Sequence, residues 1–187
     1  MTQPAPPSHQ PTFHAPSVVA FWRDAGPGRW FTKDPDFDIE FRTRFRDAHF
    51  AAARQELEGW LDQPVSALAL ILLLDQYPRN SFRNTGHMFA TDGLALHYAR
   101  LSLHHLAAIE PELRNFICLP FMHTESLPVQ EESVMLYQAH VPDSLYWAVV
   151  HRDIIAQFGR FPHRNHLLGR QTTPQEQAFL DSGGFAG

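Results

Sequence analysis

The densest apolar stretch of the chain, Ala67 to Leu74, has no polar face. Leu and Ala dominate it and β-branched residues are scarce, so it predicts a helix buried on every side and not a strand. Pro64 opens it. Pro78 disfavours helix at the residue before it, which predicts an end around Asp75-Gln76-Tyr77. Upstream, Asp34-Pro35-Asp36-Phe37-Asp38 is a helix start. Asp34 suits the N-cap, Pro35 the first helical position, and the acids favour the positive end of the helix dipole. Phe37, Phe41 and Phe45 then recur four apart, an aromatic stripe on one face.

Other segments carry the same period. Ser17 suits the cap of a short helix through Val18 to Trp22, ending near Gly26-Pro27-Gly28. Further helices are predicted over Asp92 to His105, Pro111 to about Met122, Val129 to His140 and Ser144 to Phe158. Thr173-Pro174-Gln175-Glu176 is a capping box that opens a last short helix. No strand-like alternation of useful length appears. The pattern predicts an all-α domain over residues 17–187, an antiparallel bundle or array of about seven to nine helices joined by short loops. Residues 1–16, rich in Pro and polar side chains, predict a disordered tail. That stretch lacks the basic and apolar regions of a signal peptide.

Composition narrows the classes. At 187 residues one domain with a proper core is expected. A net charge of −5 argues against a general nucleic-acid binder. The longest apolar run is too short to cross a bilayer, so no membrane association is expected and a cytoplasmic location is. Cys118 is the single cysteine, set in an apolar run, and predicts a buried, inert thiol. Lys33 is the only lysine, so the basic side chains are arginines, the residue type suited to planar carboxylate and phosphate groups.

Three polar clusters carry the candidate chemistry. The first, Asp75-Gln76-Tyr77-Pro78-Arg79-Asn80, puts a carboxylate at the end of a very apolar helix, where it needs a partner. The second holds His123 and Glu125, with Gln130, Glu131 and Glu132 after them, inside a stretch with no Lys or Arg between Arg114 and Arg152. His123 and Glu125 fit an acid/base pair or metal ligands; they fit helix capping and a solvated acidic face as well. The third, Gly159 to Arg170, carries Arg160, His163, Arg164, Asn165 and His166, a loop rich in fixed donors. Its arginines suit a carboxylate or phosphate, or pairing with the acidic band. The stretches Asp75 to Asn80 and Phe161 to Asn165 echo each other and suggest one shared turn after an apolar helix. His151 lies near the apolar face of its helix, which fits a hydrogen-bonded core histidine or a base.

Together, Phe21-Trp22, Trp30-Phe31, Leu73-Leu74-Asp75-Gln76-Tyr77-Pro78-Arg79-Asn80, Leu119-Pro120-Phe121-Met122-His123-Thr124-Glu125, His151, Phe158-Gly159-Arg160-Phe161-Pro162-His163-Arg164-Asn165 and Leu168-Gly169-Arg170 form a recognisable string. It resembles the bacterial family known as domain of unknown function 924, from about Val18 to Phe185. Thr124 stands where Ser is expected and Tyr77 where Phe is common. The resemblance implies an all-helical fold similar to tetratricopeptide-repeat-like arrays, and no established activity.

Two functions fit these residues. One is a binding module for an anionic small molecule or peptide terminus. Arg79, Arg160 and Arg164 would hold the anion, Asp75 and Glu125 would orient them, and Asn80 and Asn165 would add neutral hydrogen bonds. The other is a small hydrolase-like enzyme using His123, Glu125, His151 and His163 for acid/base or metal work. A polar network that fixes helix ends and needs no ligand is the third possibility. No cofactor and no metal set is assigned. Gly-rich phosphate loops, nucleophile elbows, His-Glu-x-x-His and paired cysteines are all missing from the sequence. The sequence leaves the oligomeric state open.

Overall fold

The computed structural model describes residues 13–185. Its helices are α1 Ala15–Ala25, α2 Pro27–Trp30, α3 Pro35–Ala53, α4 Pro64–Ile71, α5 Tyr77–Ser81, α6 Asp92–Ser102, α7 Arg114–Met122, α8 Leu127–His140, α9 Leu145–Phe158 and α10 Pro174–Asp181. Short 3-10 turns join several of them, and no strand occurs among the described residues. None of the described helices is long and apolar enough to cross a membrane. The first helix begins at Ala15 and is capped at His14, three residues ahead of the expected Ser17 cap. Most of the predicted tail lies outside the described residues.

The local start signals act as expected. Asp34 accepts a hydrogen bond from the Phe37 amide at 3.1 Å. Thr173 and Glu176 close a reciprocal capping box on α10. The Phe37, Phe41 and Phe45 stripe is buried and packs on Phe21 and Trp22 of α1, with ring centroids 5.0 to 5.9 Å apart. Helix α4 is the centre of the molecule. Every residue from Ala67 to Leu74 is at most 1% exposed, and α1, α6 and α7 pack around α4. Helices α7, α8 and α9 pack in succession on one side, compatible with the repeat-like stacking the resemblance implies.

The central helix does not stop where Pro78 predicts. Residues Leu72–Gln76 form a π-helical turn, and α5 continues through Pro78 to Ser81. The Tyr77 amide reaches back five residues to the Leu72 carbonyl. That register bypasses the Leu73 carbonyl, and Pro78 has no N–H to offer the Leu74 carbonyl. Both oxygens find donors from elsewhere in the chain. His49 of α3 donates from Nδ1 to Leu73 at 2.8 Å, so its proton sits on Nδ1. The Thr91 hydroxyl donates to Leu74. His49 also stacks on Tyr77, 4.5 Å between ring centroids.

Tertiary donors thus replace the two lost helical bonds and let a proline sit inside a continuous rod. Thr91→Val is expected to destabilise the fold by about 1–3 kcal/mol, the cost of leaving a buried carbonyl without a donor, whereas Thr91→Ser should cost far less. Denaturant midpoints of the two variants check this.

Candidate functional site

The π turn decides where Asp75 points. π turns occur in α-helices mainly as single insertions, often at functional sites. Asp75 is 1% exposed. Its carboxylate accepts from Gln76 Nε2 at 2.6 Å and His123 Nδ1 at 2.7 Å, with Arg79 Nη1 3.3 Å away. Burial alone would push this carboxyl up, but Arg79 and His123 outweigh it and hold it well below the ordinary carboxylate range. Asp75 is therefore an anion that only accepts, so the His123 proton sits on Nδ1.

Arg79 and Arg164 meet on Asp92, the first residue of α6. Arg79 forks onto both Asp92 oxygens at 2.8 and 3.1 Å, and donates to the Asp75 carbonyl at 2.8 Å. Arg164 reaches Asp92 at 3.2 Å and the His123 carbonyl at 3.0 Å. The Arg164 guanidinium lies between the rings of Phe89 and Phe161, 4.4 and 4.6 Å from their centroids. Burial pulls the Arg164 guanidinium down to about 10, still a cation near neutrality.

Two carboxylates and two guanidiniums thus cancel. His123 adds no charge, because burial and the nearby Arg79 lower its pKa. Its Nε2 has no hydrogen-bond partner among the described residues, and the side chain keeps 14% of its surface open.

Other residues from the same clusters go elsewhere. Glu125 accepts both terminal nitrogens of Arg170 at 2.8 Å and the Phe161 amide at 2.9 Å. It thereby fixes the backbone of the Arg164 loop. Gln130 is fully buried and donates to the Met122 and Thr124 carbonyls, tying the turn between α7 and α8. Asn80 donates to Asp38 of α3 at 2.7 Å. Asn165 donates to Thr172 at 3.4 Å.

Arg160 departs from the expected grouping with Arg79 and Arg164. It pairs with Glu176 of α10 and the Gln171 carbonyl, both at 2.8 Å. A shallow cleft of about 320 Å³ lies there, lined by Gln157, Phe158, Arg160, Thr173, Gln175 and Glu176.

The two echoing turns also differ in backbone. One is π followed by α; the other follows a left-handed Gly159 (φ 69°) and is a 3-10 turn, Pro162–Arg164. Of the acidic band, Glu125 takes an arginine from the donor-rich loop, and Glu132 pairs with Arg100 of α6.

His151 is 6% exposed and donates from Nδ1 to the Trp147 carbonyl at 2.8 Å. Burial lowers its pKa to about 4. His163 lies beside Arg164, and burial pulls it down to about 3. Its Nδ1 is buried without a partner among the described residues, as is Arg164 Nε. No group of three or more His, Cys, Asp or Glu side chains among the described residues is placed to hold a metal ion. Cys118 is buried, and its thiol is pushed up to about 12.

Sequence reasoning missed Asp92 and Phe89. Asp92 already had a local explanation as a first-turn acid of α6.

No curated protein matches the chain. A solved structure of a protein of unknown function from Agrobacterium tumefaciens is 51% identical to it, covering 90% of this chain and 97% of that one with a TM-score of 0.88. The family model for bacterial proteins of unknown function, DUF924, matches residues 18–184. Spanning nearly the whole chain, that match establishes that the chain belongs to the DUF924 family.

Proposed function

We propose that the protein binds a small oxyanion, a carboxylate (including a peptide terminus) or a phosphate, at the exposed edge of His123 beside Arg164. One observation carries this reading. His123 is held by Asp75 with its proton on Nδ1 and, among the described residues, no partner on Nε2, in a network whose formal charges already cancel. An anion arriving alone would be uncompensated, because Arg79 and Arg164 are paired. An anion arriving with a proton for Nε2 leaves the total unchanged. The imidazolium then lies between the Asp75 carboxylate and the ligand, and both contacts are charge-assisted.

The binding should therefore be proton-coupled. Calorimetry with acetate, a monoanion, at neutral pH, in buffers of different ionisation enthalpy, should read about one proton taken up per anion bound. His123→Gln should abolish the uptake. Anion binding without uptake, or no binding of sulfate or acetate at all, would refute the proposal.

The Asp75–His123 pair is also the arrangement that orients a general base, which favours a hydrolase-like second reading with His123 taking a proton from water. No hydroxyl or thiol bonds to His123 among the described residues, so the base would act on water alone. A cytoplasmic setting is part of both readings and suits the single buried thiol.

A further inference from the structure

The segment after α10 turns back onto the molecule. Gly183 takes φ +83°, a conformation that side chains rarely adopt. A Cβ on Gly184 would lie 2.5 Å from the Phe179 ring and 2.6 Å from the Phe179 carbonyl oxygen. The Gly183 and Gly184 amides donate to Leu180 and Phe179 at 3.1 and 3.0 Å, which fixes the reversal. Two consecutive glycines are what let the chain pass, and the result is the placement of Phe185. Its ring centroid lies 4.5 Å from that of His151, 5.3 Å from His163 and 6.2 Å from Trp147.

These contacts form a layered series. Phe185 covers His151 and His163. Phe161 lies against the same two imidazoles, at 5.5 and 5.6 Å, and also stacks on Arg164. Arg164 in turn holds Asp92 and the His123 carbonyl. The buried Nδ1 of His163, without a partner among the described residues, belongs to an imidazole directly in contact with Phe185. A closed state that strands a polar atom carries a penalty, and opening relieves it by admitting water. Against that penalty stand one half-buried ring and two backbone hydrogen bonds at the edge of a small satellite core. The closed and open states are therefore close in free energy.

We propose that residues 183–185 are a strap that closes the His151–His163 side of the site, and that Phe185 must lift for a ligand to reach Arg164 from that side. The role of the strap in ligand entry rests on the oxyanion reading; its role as a closure does not. The test is carbethoxylation of the full chain by diethyl pyrocarbonate, followed residue by residue by mass spectrometry. Exposed His104 is the fast reference and buried His49 the control for global unfolding.

Phe185→Ala removes the ring, and Gly184→Ala displaces the segment while keeping it. Both are expected to raise the modification rate of His151 and His163 about tenfold, the scale of losing one partly buried aromatic ring. His49 should stay slow. Unchanged rates at both histidines in both variants overturn the proposal, as does a parallel rise at His49. Faster labelling together with tighter or faster sulfate binding supports both the strap and the site. Faster labelling with no sulfate or acetate binding in any variant keeps the closure and removes the oxyanion reading.

Discussion

Asp75→Ala is expected to destabilise the protein by about 3–5 kcal/mol, the cost of removing one partner from a buried ion pair. In a domain of this length that lowers the melting temperature by roughly 10 °C or more. The size follows from what is stranded. Gln76 loses its acceptor, His123 loses the oxygen that fixes its tautomer, and the half-buried Arg79 loses one of two carboxylates. Asp75→Asn keeps an acceptor for His123 and should cost about half as much.

The deficit should also depend on pH. The folded state holds the Asp75 carboxyl below its unfolded value, so its contribution is full above the ordinary carboxylate range and fades as pH falls through the folded value. His151 and His163 are depressed by burial and act earlier. On acidification the unfolded chain takes up their protons first, so stability begins to fall below the ordinary histidine range. Thermal melts across that range should show wild type losing stability in two stages. The gap between wild type and Asp75→Ala should close only in the more acidic one. A gap that stays constant down to acid denaturation would mean Asp75 is not the charged centre of the network.

What was legible in the sequence was local. Asp34-Pro35 and the Thr173 box name their own partners within one turn, and the Phe stripe needs only a period. The π turn was not legible, because its causes are remote. Pro78 says stop by every local rule, and the answer to it comes from His49 on α3 and from Thr91 ahead of α6. Asp92 was hidden for the opposite reason, since a first-turn acid needs no distant partner to be explained. Arg160 and Arg164 looked equivalent in one loop. The left-handed Gly159 and the 3-10 turn after it send one to Glu176 and the other to Asp92, and no composition or spacing separates them. The meeting of Asp75, Arg79, His123 and Arg164 was a spatial expectation, and it rests on the carboxylate of Asp92, which with Asp75 neutralises two of the arginines intended for a ligand.

Arg164→Ala shows how far that pairing changes the expected chemistry. From sequence alone an arginine in a donor-rich loop should cost affinity and little stability. In the fold its residue is 6% exposed, pressed between Phe89 and Phe161 and bonded to Asp92 and the His123 carbonyl. Truncation is therefore expected to cost about 3 kcal/mol, from a stranded carboxylate edge and an emptied slot between two rings. Arg164→Lys should recover little, since an ammonium cannot lie flat between the rings while reaching two acceptors. A double-mutant cycle with Asp92→Asn separates the charge pair from the packing, and a coupling of about 1–3 kcal/mol is expected for side chains in one network. If Arg164→Ala instead melts within about 0.5 kcal/mol of wild type, as a surface change would, the arginine contributes nothing to the fold. Its guanidinium would then be free for a ligand, and the neutral network inferred around His123 would have to be abandoned.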